Sequence, residues 1–146
     1  MYRSSGGAIE VMLVHPGGPF WARKDLGAWS IPKGGFEPPE EALAAACREF
    51  KEETGWSASG TMIPLTPLKQ PSGKLIHAWA FEGDYDVTTL HSESFTMEWP
   101  PHSGKQAGFP EVDRAAWFGL EEAAKRILPG QAGFLRELAG ILQRAG

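Results

Sequence analysis

The chain has 146 residues, 42% of them hydrophobic and 22% charged, and a net charge of -4 at pH 7. Its length suits one domain, read here as residues 1–146, with a core of its own. The acidic balance without a basic tract excludes duplex nucleic acid as a partner, and the single cysteine excludes an internal disulfide.

No apolar run reaches the roughly 20 residues that span a bilayer, so no membrane partner is expected. The opening MYRSSGGAIEVML lacks the apolar stretch of a signal peptide, and the cytoplasm is the expected location. Ala8 to His15, AIEVMLVH, reads as a strand, which Pro16-Gly17-Gly18-Pro19 ends. Phe20 to Ala28 is a loop carrying Arg23, Lys24 and Asp25. Trp29-Ser30-Ile31 is a short strand entering the turn Pro32-Lys33-Gly34-Gly35.

A helix is predicted from about Pro39 to Thr54. Pro38 and Pro39 are tolerated only before a helix or in its first turn. Glu40 and Glu41 then lie where the positive end of the helix dipole favours acid. Leu43, Cys47, Phe50 and Thr54 form an inward stripe, and Gly55 is a natural stop. Cys47 on that stripe reads as a core residue rather than a nucleophile.

After the helix, Thr61 to Leu68 is a weak strand broken by Pro64 and Pro67, and Lys74 to Glu82 is a strong one. A short strand at Thr96 to Trp99 precedes the loop from Pro100 to Lys105. Another covers Ala115 to Phe118. A helix covers Glu121 to Ile127, and Phe134, Leu138, Ile141 and Leu142 mark a final amphipathic helix. Alternating strands and helices give an α/β layered domain.

The helix carries the chemistry. Glu49, Glu52 and Glu53 stand at i, i+3 and i+4 and share one face. Three carboxylates on one face repel one another unless a cation sits among them, and hard oxygen ligands suit Mg²⁺ or Mn²⁺. At about 100° per residue, the inward stripe points roughly 145° away from that face. One side of the helix is for the core and the other for metal.

The segment from Gly34 to Trp56 resembles the Nudix box, G-x5-E-x7-R-E-U-x-E-E-x-G-U, where U is bulky and apolar. Gly34, Glu40, Arg48, Glu49, Phe50, Glu52, Glu53, Gly55 and Trp56 meet every specified position. The resemblance implies a Nudix α/β/α sandwich with a mixed β-sheet between helices. It implies a divalent-metal-dependent pyrophosphohydrolase that cleaves a phosphoanhydride in a nucleoside diphosphate linked to another moiety. By the same resemblance Glu52 and Glu53 bind metal. Glu49 binds a second metal or orients water, Arg48 orients the carboxylates, and the backbone carbonyl of Lys33 is a further metal ligand. An additional catalytic glutamate is expected outside the box. Glu111, six residues before Trp117, is the first choice, with Glu93 and Glu98 as the other candidates.

The resemblance implies a small-nucleotide substrate, held by residues outside the carboxylate face. Lys33 and the Gly34 turn, Arg23, Lys24 and Trp29 are the proposed contacts. Phe20, Trp21, Trp79, Trp99 and Phe109 are further candidates for stacking on a base, and Lys74, His77 and Lys105 for phosphate. Trp29-Ser30-Ile31-Pro32-Lys33-Gly34 is similar to the WxxPKG run of Nudix dinucleoside polyphosphate hydrolases, which favours such substrates or nucleoside triphosphates. Pro71, about 15 residues past the box, is the feature of ADP-ribose pyrophosphatases and supplies the alternative. A non-catalytic nucleotide-binding module is the rival from another class, and the intact box argues against it. The resemblance admits a homodimer or a monomer.

Overall fold

The computed structural model describes residues 1–33 and 40–145. The expected turn at Gly34 and Gly35, and the helix start at Pro38 and Pro39, lie outside the described residues. Strand β2 (Ala8–Pro16) is the spine of the molecule. It pairs antiparallel with β1 (Tyr2–Ser5) on one side and with β9 (Val112–Gly119) on the other. Strand β1 was not expected. Its signal was the Gly6-Gly7 pair, whose positive φ angles of 60° and 85° make the tight turn that returns the chain into β2.

The pleat of β2 sorts its side chains to two faces. Val11 and Leu13 face one cluster with Ala123 and Ile127, and with Leu135 and Leu138. These come from or adjoin α2 (Leu120–Arg126) and α3 (Ala132–Ala145). Met12 and Val14 face the opposite cluster, with Phe50 and Trp56, Phe81, Val112 and Ala115. Phe50 lies on α1 (Ala42–Thr54). Helices therefore pack on both faces of the sheet, as the α/β/α expectation requires. Parallel bridges, Tyr2 to Glu82 and Trp29 to Ile127, beside the antiparallel ladders give the strands mixed character.

The remaining strands are short. The segment expected as one weak strand is β3 (Ile63–Pro64) and β4 (Leu68–Lys69), and the strong candidate Lys74 to Glu82 is β5 (Leu75–Ile76) and β6 (Trp79–Ala80). Pro64 and Pro67 account for the first break, because a proline cannot donate to a ladder. β7 (Ser94–Glu98) and β8 (Gln106–Pro110) form an antiparallel hairpin across the expected loop. Among the described residues, no helix is long and apolar enough to cross a membrane.

Helix α1 starts at Ala42, with Glu41 as its N-cap residue and no acidic side chain in its first turn. Glu40 and Glu41 thus stand just before the first helical residue, at the positive end of the dipole, rather than inside the first turn. The inward stripe is corrected in part. Phe50 and Thr54 are buried, and so is Ala45, whereas Leu43 and Cys47 are half-buried and line a cavity of about 100 Å³. Gly55 ends the helix in the left-handed region at φ 81°, and its N–H closes on Lys51.

Thr54, fully buried, staples the turn that follows. Its Oγ1 donates to the Phe50 carbonyl at 2.6 Å and accepts from the Trp56 N–H at 3.1 Å. Thr54→Val keeps the shape and leaves that buried N–H without an acceptor. The expected loss, read from urea unfolding, is about 1–3 kcal/mol with helical circular dichroism retained.

Candidate active site

Four segments converge beside the C-terminal half of α1. The helix ends with carbonyls that it cannot satisfy itself. Two of them accept from one neighbouring segment: the Glu93 N–H donates to Glu52 O at 2.9 Å, and the His91 N–H to Thr54 O at 2.9 Å. The chain of bonds continues outward. Glu111 N–H donates to Glu93 O at 2.8 Å, and Gly17 N–H to Glu111 O at 2.9 Å. Gly17 is required there, since a Cβ would strike the Pro110 carbonyl. This ladder sets Glu52, Glu93, Glu111 and the Gly17 loop side by side.

Arg48 sits at the centre of the acidic face. Its Nε and Nη2 donate to the two Glu40 oxygens at 2.8 and 2.9 Å, a forked pairing that gives geometry as well as attraction. Its Nη1 donates to Glu49 at 2.9 Å and to Glu52 at 3.1 Å. The Arg48 guanidinium, bonded directly to it, holds the Glu40 carboxyl below the usual carboxylate range. Glu40 is the residue whose role here sequence reasoning missed. Its signal was present in the fixed spacing of Glu40 and Arg48 within the box.

Glu53 lies outside that embrace. Its Oε2 is sealed from solvent and has no hydrogen-bond partner, the one such side-chain oxygen or nitrogen among the described residues. Burial is the main cause that pushes its carboxyl up to about 8. The Lys33 backbone N–H donates to it and opposes the shift, while the Glu49 and Glu111 carboxylates reinforce it. The Lys33 peptide, Glu49, Glu53 and Glu111 are therefore neighbours.

An orphaned, buried carboxylate oxygen among other hard oxygen donors fits a divalent cation. As they stand, no three acidic, histidine or cysteine side chains among the described residues converge to cage an ion. Arg48 draws Glu49 and Glu52 toward itself, so gathering them on an ion means turning them from the guanidinium.

Of the other expected contacts, some lie near this cluster and some do not. Lys33 also lines a cavity of about 180 Å³ with Gln70, Lys74 and His77, and with Ala42 and Ala45 of α1. Ala45 is one turn from Glu49 on the same helix face, so the cavity runs along the acidic side of α1. Arg23 and Lys24 are exposed on the loop after Gly17, and the Lys24 ammonium lies 4.9 Å from the Trp21 ring centroid.

Trp29, expected to contact substrate, is instead 4% exposed in the core. Its indole N–H donates to Asp25 at 2.8 Å, and its ring meets His15 and Phe118 edge-on at 5.2 and 5.1 Å. Those contacts leave no free face for a base. Glu98 lies at the far end of β7, where it accepts from the His102 N–H at 2.8 Å. Glu93 is exposed and contributes its backbone to the ladder. Buried His15 bridges Asp113 at 2.9 Å and the Lys24 carbonyl at 2.7 Å, and so pins the Gly17 loop to β9; it was not foreseen.

The NUDIX domain model matches residues 2–138. This chain belongs to the Nudix hydrolase family. It is 45% identical over 62 residues to an RNA pyrophosphohydrolase of Erythrobacter litoralis, a match covering 39% of this chain and 36% of that protein. It is 26% identical over 149 residues to an RNA pyrophosphohydrolase of Rhizobium meliloti, covering 83% of each. Among solved structures it is similar to a C. elegans Ap4A hydrolase in a binary complex, with TM-score 0.67 and 25% identity over 98% of this chain and 93% of that one.

The raised Glu53 carboxyl makes a prediction for the Nudix domain without metal. The unfolded chain releases this proton near the ordinary 4.5, the folded chain near 8. Between those values the unfolded state binds fewer protons, so stability falls as pH rises. The contribution is present below about 4.5 and lost as pH climbs through about 8. Thermal melts in chelator should show that decline, and Glu53→Gln, which cannot ionise, should remove it. Identical pH profiles for the variant and the parent would contradict the assignment.

Proposed function

We propose that this Nudix hydrolase cleaves a phosphoanhydride bond in a dinucleoside polyphosphate or a nucleoside triphosphate, with Mg²⁺ or Mn²⁺ as cofactor. The observation that carries the reading is the orphaned Glu53 oxygen beside Glu49, Glu111 and the Lys33 peptide. Glu52, Glu53 and the Lys33 carbonyl would hold the cation, and Glu49 would hold a second one or orient water. Such a cation neutralises phosphate charge and makes water more acidic.

The chain's own residues do the rest. A water oxygen forms the new bond to phosphorus, and the bridging P–O bond breaks, its electron pair leaving with the departing phosphate. Glu111 takes the proton from the water. Arg48 positions Glu49 and Glu52 rather than touching the reacting atoms. Lys33, Lys74 and His77 line the cavity along α1 and favour the polyphosphate chain there.

The C. elegans Ap4A hydrolase likeness and the WxxPKG-like run support a dinucleoside polyphosphate. A second reading, the 5′-terminal triphosphate of an RNA, follows from the two relatives named RNA pyrophosphohydrolase. The net charge of -4 disfavours long contact with an RNA backbone, so the first reading is preferred.

Product analysis with Mn²⁺ or Mg²⁺ across dinucleoside polyphosphates, nucleoside triphosphates, ADP-ribose and a 5′-triphosphorylated oligonucleotide tests this. Glu53→Gln should lower kcat by about 10²-fold or more while the fold is kept. Glu111→Gln should lower kcat by about 10²–10⁴-fold with little change in KM. Wild-type turnover by either variant on a confirmed substrate would overturn its assigned role.

A further inference from the structure

We propose that the β7–β8 hairpin and the loop through Phe20 and Trp21 form a stacking platform for the base of the nucleotide, an inference that rests on the hydrolase reading above. The hairpin has two unlike faces. Register pairs Phe95 with Phe109 and Met97 with Ala107, and these side chains are half-buried. Ser94, Thr96 and Glu98, opposite Pro110, Gly108 and Gln106, are exposed. Trp99 extends the first face beyond the strand.

That apolar face meets the loop that leaves the catalytic ladder. A Cβ on Gly18 would lie 3.1 Å from the Phe95 ring. Phe20 meets Trp99 edge-on, centroids 5.4 Å apart at 83°. Yet the Phe20 side of the pair is open, because Phe20 is 61% exposed. A lone exposed apolar residue needs no explanation, but this one continues a cluster of half-buried aromatic rings.

Charge and reach select the occupant. In a chain of net charge -4, the rings are bordered by cations. Lys24 lies over Trp21, and Arg23 precedes it in the same loop. Aromatic faces flanked by cations match a planar base with phosphates attached, and stacking tolerates any base. Gly17, bonded to Glu111, is three residues from Phe20, so their Cα atoms lie at most about 11 Å apart. A base on Phe20 is thus within the reach of a nucleotide from Glu111.

The test compares KM and kcat for ATP, diadenosine tetraphosphate and base-free inorganic triphosphate with Mn²⁺. Phe20→Ala should raise KM for the nucleotides about tenfold with kcat within about twofold, and raise it far less for inorganic triphosphate. Phe20→Trp should restore nucleotide KM. Leu26→Ala, another exposed apolar substitution in the same loop, should leave nucleotide KM at the wild-type value. Unchanged nucleotide KM in Phe20→Ala, or an equal loss with base-free triphosphate, overturns the platform and leaves the hydrolase reading standing. A wild-type chain that cleaves no nucleotide overturns both.

Discussion

One oxygen of Glu53 is shut away from water with nothing to bond, and the region around it is built to hold that cost. A buried acceptor without a partner destabilises a fold, and a charged one does so more. The folded chain without metal meets this by keeping the carboxyl protonated far above its ordinary range. A divalent cation would meet it differently, by giving the oxygen a partner and letting the carboxylate ionise. Stability is given up at this helix to keep that oxygen unpaired, which is the ground for the proposed cation site.

The support for that site is mostly backbone. Glu52 and Thr54 offer the last carbonyls of α1 to the N–H groups of Glu93 and His91, and Glu93 hands on to Glu111 and then Gly17. Helix α1, the Glu93 and Glu111 segments and the Gly17 loop are therefore held in one register by bonds that side-chain substitutions do not remove. Phe50 and Thr54 anchor the other side of the same helix in the core. Arg48 completes the arrangement by clamping Glu40, Glu49 and Glu52, so that three acids tolerate one another at close range.

Much of this was legible in the sequence where the signal was local. The i, i+3, i+4 spacing placed Glu49, Glu52 and Glu53 together, and Gly55 marked the helix end that the structure shows. Ala8 to His15 read as a strand because its apolar run is long. What failed was tertiary. Trp29 was proposed as a substrate contact, but its burial depends on His15, Phe118 and Asp25, none of them decidable from its neighbours. Glu40 was placed inside the helix because the start of α1 at Ala42 could not be fixed to the residue. Strand β1 was missed although Gly6-Gly7 announced its turn.

The residues proposed to contact substrate are the less local half of the problem. Lys33, Lys74 and His77 come from segments separated by the whole of α1 and still line one cavity. Phe20 and Trp99 meet from loops nearly eighty positions apart. Composition could name such residues as candidates, and only the fold could sort them.

The central claim is that Glu53 is left unpaired for a cation. The most direct measurement is Mn²⁺ binding to the metal-free chain, followed by the loss of the free-ion electron paramagnetic resonance signal. The expected result is saturable binding by the wild type that raises its melting temperature, and binding weakened at least about tenfold in Glu53→Gln. Equal Mn²⁺ affinity in the two proteins would contradict the account.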